Sequence, residues 1–261
     1  MSYIGLRAPK GGLALDWKAP INKGLVGWWP LIDGAGTRAC NLRFPRQPAL
    51  LVNSVTWTAE GAAIASGGFL ESPASTVVTY AGGFGVSFWV KGVYASQVTY
   101  ANFLSKAASG TEWSLFRDVS SGMLSLYVGA VGNQVTFAGN LFQDIMNGQM
   151  NHVVYAHSGG VASIFVNGVL KDSKSIAQPA YNGKPFRIGT DDATYGYVTG
   201  TYRNVRMFTR GPTSREVLNL YRRPWIGAVG SAVGVARKRS AFWWIGAGGG
   251  VVTRSPFIFR H

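Results

Sequence analysis

Apolar and polar residues alternate along this chain in short runs and do not recur at helical spacing. Val86–Lys91 (VSFWVK) puts Val86, Phe88 and Val90 on one face and Ser87, Trp89 and Lys91 on the other, which is the period-two pattern of a strand. Phe103–Lys106, Glu112–Asp118, Met123–Val128 and Gln134–Ala138 repeat it, separated by Ser-Gly, Gly-Asn and similar turns. In the stretch NHVVYAHSGGVASIFVNGVLKDS, His152–His157 and Val161–Val166 flank Ser158-Gly159-Gly160, and Asn167-Gly168 then turns the chain into Val169–Lys171. Asn-Gly is the strongest two-residue hairpin signal, because both positions of a type I′ turn need positive φ. The pattern predicts three antiparallel strands forming a meander in the middle of a sheet. Gly24–Leu31 (GLVGWWPL) reads as an opening strand stopped by Pro30 and Asp33-Gly34. One helix is expected in the body, opened by Pro212-Thr213-Ser214-Arg215-Glu216 with Thr213 or Ser214 as cap, and stopped by Pro224. Many short strands at even spacing predict an all-β fold, a two-sheet antiparallel sandwich with one short C-terminal helix.

Composition agrees with that picture. The chain has 261 residues, 47% of them hydrophobic, with 35 Gly and 13% aromatics, enough to bury a core and make many tight turns. The single cysteine, Cys40, excludes an internal disulfide framework; a small apolar filler is its expected role. The start, MSYIGLRAPKGGLALDWKAP, has no apolar stretch long enough for a signal peptide, so synthesis in the cytoplasm is expected. No window reaches the roughly 18 apolar residues of a membrane span.

Charge divides the chain. Of a net +14, ten charges fall between Arg203 and His261, where eleven basic residues meet one acid, Glu216. This end is expected to face something acidic. Pro9, Gly11-Gly12 and Pro20 break up residues 1–23, an irregular N-terminal arm; 24–221 is the sandwich; 222–261 is a tail alternating Gly-rich apolar pieces with basic clusters. The tail cannot build its own core, yet Trp225, Phe242, Trp243, Trp244, Phe257 and Phe259 are a liability in water. With Arg222, Arg223, Arg237, Lys238 and Arg239 they are expected to lie along another protein surface and order on binding.

The order of GLVGWWPLIDGAGT, FGVSFWVK, FLSKAASGTEWSLFRD, NHVVYAHSGGVASIFVNGVLKDS and PFRIGTDDATYGYVTGTYRNVRMFTRGPTSREVLNLY resembles the laminin-G-like, concanavalin-A-like jelly rolls. The resemblance spans roughly residues 24–221. It implies two curved sheets packed face to face, with a rim of loops that often carries a calcium ion and a glycan. Two departures bear on the metal. ACNLRFPRQPALL, with Arg43 and Arg46, stands where relatives have an Asp-Ser-Ser-Gly-Asn-like stretch. Gly200-Thr201-Tyr202-Arg203-Asn204-Val205 stands where they read Gly-x-Ile-Asp-Glu-Val. Calcium takes six to eight oxygen ligands, several of them carboxylates, so no metal or other cofactor is expected.

Catalysis is not expected either. Glycan-cleaving enzymes need two carboxylates about 5–9 Å apart, which on one strand means acids two or four positions apart. The eleven acids are scattered singly except for Asp191-Asp192. His152 and His157, an odd number of positions apart, would face opposite sides of their strand and are expected to be structural. There is no GxSxG, HExxH, CxxC or phosphate loop. A glycan site would use exposed aromatics with polar groups nearby; Asp191, Asp192, Tyr195, Tyr197 and Tyr202 are the candidates, with Trp89 and Trp113 weaker ones. The helix, the Tyr-x-x-Pro-Trp stretch and the arginine-bearing tail also resemble laminin-G-like proteins of tailed phages. That likeness implies a structural protein of a bacteriophage virion, made in the host cytoplasm, decorating the capsid or associated with the tail or fibre. Its partners would be capsid or tail subunits, with homo-oligomerisation, a possible cell-surface glycan and no direct nucleic-acid contact. The alternative is a non-catalytic, lectin-like carbohydrate-binding module.

Overall fold

The computed structural model describes residues 13–47, 49–52, 54–72, 83–106, 112–119, 121–129, 133–179, 183–191 and 196–230. In chain order the elements are β1 (Leu13–Leu15), a 3-10 turn (Pro20–Asn22), β2 (Leu25–Trp29), β3 (Arg38–Ala39), β4 (Ala49–Val52), β5 (Val55–Thr58), β6 (Gly61–Ile64) and β7 (Phe69–Ser72). There follow β8 (Phe84–Lys91), a second 3-10 turn (Tyr94–Ser96), β9 (Asn102–Lys106), β10 (Trp113–Arg117), β11 (Leu124–Val128), β12 (Gln134–Thr136) and α1 (Leu141–Ile145). The last are β13 (Asn151–Ser158), β14 (Val161–Val166), β15 (Val169–Ser175), β16 (Phe186–Ile188), β17 (Gly200–Phe208), α2 (Ser214–Arg222) and β18 (Ala228–Gly230).

Two antiparallel sheets make the sandwich. The first runs β15-β14-β13-β8-β17-β6-β5, with β2 also on β17; the second runs β12-β11-β10-β9-β16-β7-β4-β3. Inward residues of both sheets form one aromatic core. Phe84 meets Trp113 at 5.2 Å, Trp29 stacks on Phe186 at 5.2 Å, and Phe88 meets Phe103 at 5.7 Å across the layers. All six rings are buried. The β13-β14-β15 meander is present with Asn167 at φ 53° and Gly168 at φ 81° in its turn, but it does not occupy the middle of the sheet. It runs out to the edge, and β15 is the edge strand, with Val169 and Leu170 exposed.

Strand β17 is shared. Gly200–Tyr202 pair with β6, while Val205–Phe208 pair with β2, and the register shifts between Arg203 and Arg206. Asn204 takes φ 52° at the shift. Its side chain accepts from Trp28 Nε1 at 2.5 Å and donates to the Pro224 carbonyl at 2.5 Å. Gly61 (φ 144°) sits where a Cβ would come within 2.1 Å of the Tyr202 carbonyl, so β6 and β17 can pair this closely only with glycine there.

Helix α2 starts with a capping box. Thr213 Oγ1 accepts from Glu216 N–H at 3.3 Å, and the Glu216 carboxylate accepts from Thr213 N–H at 2.8 Å. A further single turn, α1, was not expected. Its three buried residues, Leu141, Phe142 and Ile145, are too few to display a helical period; Phe142 stacks on Phe103 at 4.8 Å. Cys40 is exposed, not the buried filler expected of it. It follows the two-residue strand β3, in which Ala39 takes the inward position, so alternation turns Cys40 outward.

The described residues before and after the sandwich fold onto it. Strand β1 pairs with β18, Leu13 opposite Gly230. Trp225, Ile226 and Ala228 pack on a second cluster formed by Ile21, Leu25, Trp28, Phe208 and Leu220. Arg206, fully buried, lies 3.6 Å over the Trp28 ring and donates to the carbonyls of Pro224 and Ile226.

Candidate functional site

The outward faces of the two sheets are treated differently. The first sheet is roofed by α2: Val217 packs on Val154, Ala156 and Phe165, and Tyr221 stacks on Trp89 at 5.8 Å and on His152 at 6.1 Å. Ser87 Oγ and His152 Nε2 lie 2.9 Å apart beneath that roof. Burial, with the nearby Arg206 charge second, pulls the imidazole down to about 3, so His152 is neutral and closed off from solvent. His157, on the inward side of β13 with Tyr155, is also buried and lowered by burial; its Nε2 lies 3.1 Å from the Ile176 carbonyl. Neither histidine can exchange a proton with a substrate.

The second sheet leaves a cleft of about 480 Å³ on its outward face. Register explains its lining. Ser114 of β10 lies between Tyr127 of β11 and Ser105 of β9, and Phe116 lies between Ser125 and Asn102. Leu115, Leu124, Leu126 and Val128, one position out of phase, face the core. Polar Asn102 and Ser114 thus form a buried floor, while Tyr100, Phe116, Tyr127 and Gln134 rise around it. Tyr100 and Phe116 meet at 6.2 Å with ring planes 32° apart. Tyr100 is held in a left-handed conformation, φ 61°, its carbonyl accepting from Asn102 Nδ2 at 2.7 Å. A side chain in that region of φ/ψ persists only when its surroundings hold it there. Here they fix an aromatic ring, 42% exposed, at the rim of the cleft. The remaining acceptor of Asn102, Oδ1, is buried and meets no donor among the described residues.

Asp191 closes one end of the cleft. It is carried there because β16 pairs with β9; Ser105 Oγ donates to the carbonyls of Thr190 at 2.8 Å and Asp191 at 3.0 Å. Of the described residues singled out in the sequence, Asp191 is the one that lines the cleft. Tyr197 is half-buried and stacks on Phe69 at 6.5 Å. Tyr202 is a core residue: it pairs in register with Val90, is fully buried, and its hydroxyl donates to the Phe103 carbonyl at 3.2 Å. No sugar can stack on it. Trp113 lies in the core and Trp89 under α2, so neither is a platform. Asp192 and Tyr195 lie outside the described residues. Tyr100, Asn102, Ser114, Phe116, Tyr127 and Gln134 went unremarked in the sequence. For Ser114, Phe116 and Tyr127 the signal was the outward half of the alternation in β10 and β11.

Of the tail residues, Arg222 and Arg223 are exposed. Trp225 does not project as an anchor: half-buried, it packs on this domain's own second cluster, with the Arg203 guanidinium 5.5 Å over its ring. Arg237, Lys238, Arg239, Phe242, Trp243, Trp244, Phe257 and Phe259 lie outside the described residues. At the position where relatives hold acids, Asn204 joins two segments of backbone and Arg203 covers Trp225. Among the described residues, no group of three His, Cys, Asp or Glu could hold a metal ion, and no helix is long and apolar enough to cross a membrane.

This architecture defines a jelly-roll sandwich with one roofed face and one open, cleft-bearing face. The chain belongs to the concanavalin A-like lectin/glucanases superfamily, its residues 65–218 matching the Laminin_G_3 family. Among solved structures it is similar to the binding domain of botulinum neurotoxin serotype D (TM-score 0.60, 13% identity, 77% of this chain and 52% of that one). The binding domain of Paraclostridial Mosquitocidal Protein 1 is similar to the same degree (TM-score 0.59, 13% identity, 77% and 52%). The chain therefore spans about half the length of these toxin domains. It also resembles domain 4 of AbnA, an extracellular arabinanase from Geobacillus stearothermophilus, solved with arabinotriose (TM-score 0.55, 19% identity, 76% of this chain and 98% of that one). No curated protein matches the chain.

Proposed function

We propose that this chain is a non-catalytic carbohydrate-binding module and that the cleft on its second sheet is the binding site. The observation that carries the reading is the lining itself. Tyr100 and Tyr127 offer apolar surface for sugar rings, with Phe116 deeper between them, around a buried polar floor in which Asn102 Oδ1 meets no donor among the described residues. Sugars bury a hydrophobic ring face and present hydroxyl donors at its edge, which is what such a site requires. The likeness to an arabinanase domain holding arabinotriose supports it. Among the described lining residues Asp191 is the one carboxylate, whereas glycosidic cleavage uses a pair. Tyr127→Ala and Asn102→Ala are expected to weaken retention on a glycan array and in titration by about 5- to 10-fold each, with unchanged melting for Tyr127→Ala. Release of reducing or unsaturated ends from a polysaccharide would count against the non-catalytic reading.

A second proposal concerns where the module works: as a subunit of a bacteriophage particle, in capsid decoration or in the tail or its fibres, docked to other subunits by its terminal segments. The pairing of Leu13 with Gly230 supports it, because it sets the two ends of the described domain side by side. Residues 231–261 are rich in Trp, Phe, Arg and Gly. Deleting 231–261 is expected to leave a folded sandwich that no longer enters particles, as read by mass spectrometry of purified virions. Undiminished incorporation would end this proposal and leave the glycan site untouched.

A further inference from the structure

Resting on the reading of the cleft as a glycan site, we infer that it selects uncharged or amino sugars and rejects acidic ones: sialic acids, uronic acids and sulfated glycans. Three observations converge. The first is the sign of the lining. In a chain of net +14, no Lys or Arg occurs from Asp118 to Leu170, nor from Ile188 to Tyr202. These stretches include β11, β12 and the segment that brings in Asp191. The described lining holds one ionisable group of fixed charge, the Asp191 carboxylate. A second carboxylate stands behind it, since Gln134 donates through Nε2 to Asp118 Oδ2 at 2.7 Å.

The second observation is the fate of two described cations on the strands beside the cleft. Arg187 reaches the Asp191 end, where it donates to the Asp191 carbonyl at 3.2 Å, but its Nε is 2.7 Å from the Glu71 carboxylate, which matches its charge. Arg117 turns to the other side of β10, where it donates to the Gln97 carbonyl and the Tyr94 hydroxyl and lies 4.5 Å over the Tyr94 ring. Neither offers a guanidinium fork to an acidic ligand. Recognition of a carboxylate or sulfate draws on such forks or on backbone N–H nests.

The third is donor–acceptor balance. The bond from Asn102 Nδ2 to the Tyr100 carbonyl assigns the amide orientation, so the group left over in the floor is an acceptor, Oδ1. Oδ1 is closed to solvent as the side chains stand, so a hydroxyl or ammonium reaches it only as the floor gives way; a carboxylate or sulfate has no proton to donate to it even then. An acidic sugar would face both an unanswered acceptor and like charge in a half-enclosed site, where screening is weaker than in bulk water.

The test uses matched pairs on the full chain: lactose against 3′-sialyllactose, and galactotriose against trigalacturonate, by titration at low and high ionic strength, after an array carrying neutral and acidic forms of the same backbones. The neutral member is expected to bind at least about tenfold tighter at low salt, with the gap closing as salt rises. Asp191→Asn is expected to narrow the gap by raising affinity for the acidic member. Acidic members binding as well as their neutral partners, with Tyr127→Ala reducing both, would overturn the selectivity and keep the site. Silence towards both members of every pair, or binding indifferent to Tyr127→Ala, overturns the site reading and this inference with it.

Discussion

Asn204 ties together three separated pieces of chain. Its backbone N–H donates to the Pro30 carbonyl at 3.0 Å, its Oδ1 accepts from the Trp28 indole, and its Nδ2 donates to the Pro224 carbonyl. All this happens in a left-handed conformation that Asn tolerates better than most residues. Asn204→Ala removes both side-chain bonds and leaves a buried indole N–H unanswered, so it is expected to lower stability by about 2–4 kcal/mol in chemical denaturation. His152 gives a pH signature. Its folded value, about 3, lies below the ordinary 6.5, so the unfolded chain takes up the proton first as pH falls. The stability linked to neutral His152 is complete above about pH 6.5 and declines below it, by at most about 1.4 kcal/mol per pH unit. His157, lowered by the same cause, acts in the same sense. Glu216, which burial alone would raise, is held below its ordinary 4.5 by Arg210 and Thr213 together, and adds its loss only at lower pH. Denaturation midpoints measured from pH 7 to pH 4 should fall, and His152→Gln should flatten the upper part of that fall. At this scale the sequence is a partial guide. Residue type and spacing put both histidines on opposite sides of one strand, where the structure has them. They cannot tell that Tyr202 faces Val90 across the strand pair, while Tyr100 is turned out to the rim.

Strands with room for two or more alternations, such as β8, β10, β11, β13 and β14, are readable in the sequence because inward apolar residues alternate with outward ones that are mostly polar or small, Trp89, Phe116 and Val154 being covered exceptions. Elements of two or three residues, β3, β16 and β18, show no period at all; their partners across the sheet define them. The cleft was hidden for the same reason. Its floor and walls come from strands that are adjacent in sequence, but Asp191 arrives through the pairing of β16 with β9, with Ser105 and Asp191 joined across 86 positions. The segment 223–230 shows how an element can look detachable and still be part of the fold. Ending the chain after Gly230 should leave the melting temperature within about two degrees. Ending it after Arg223 removes Pro224, Trp225 and Ile226, strands the buried Arg206 and Asn204 without their carbonyl partners, and is expected to cost about 4 kcal/mol or more. Thermal melts of the two truncations check this.

On the scale of the whole molecule, charge and surface are sorted together. The cation-free stretches supply Tyr127, Gln134 and Asp191 to the cleft, while the excess positive charge gathers after Arg203. That polarity was visible in the composition, but which of the cation-free positions meet at the cleft emerges only from the strand order. The β1–β18 ribbon has a consequence of another kind. Because Leu13 stands opposite Gly230, entrance and exit of the domain are separated by one strand spacing of about 5 Å. The sandwich is thus a cassette: it can be spliced into a surface turn of an unrelated host protein without stretching either chain. Joining Gly230 to Leu13 through a few glycines and opening new ends in the exposed turn at Ser158–Gly159 should likewise give a circular permutant that keeps the cleft and its ligand preference.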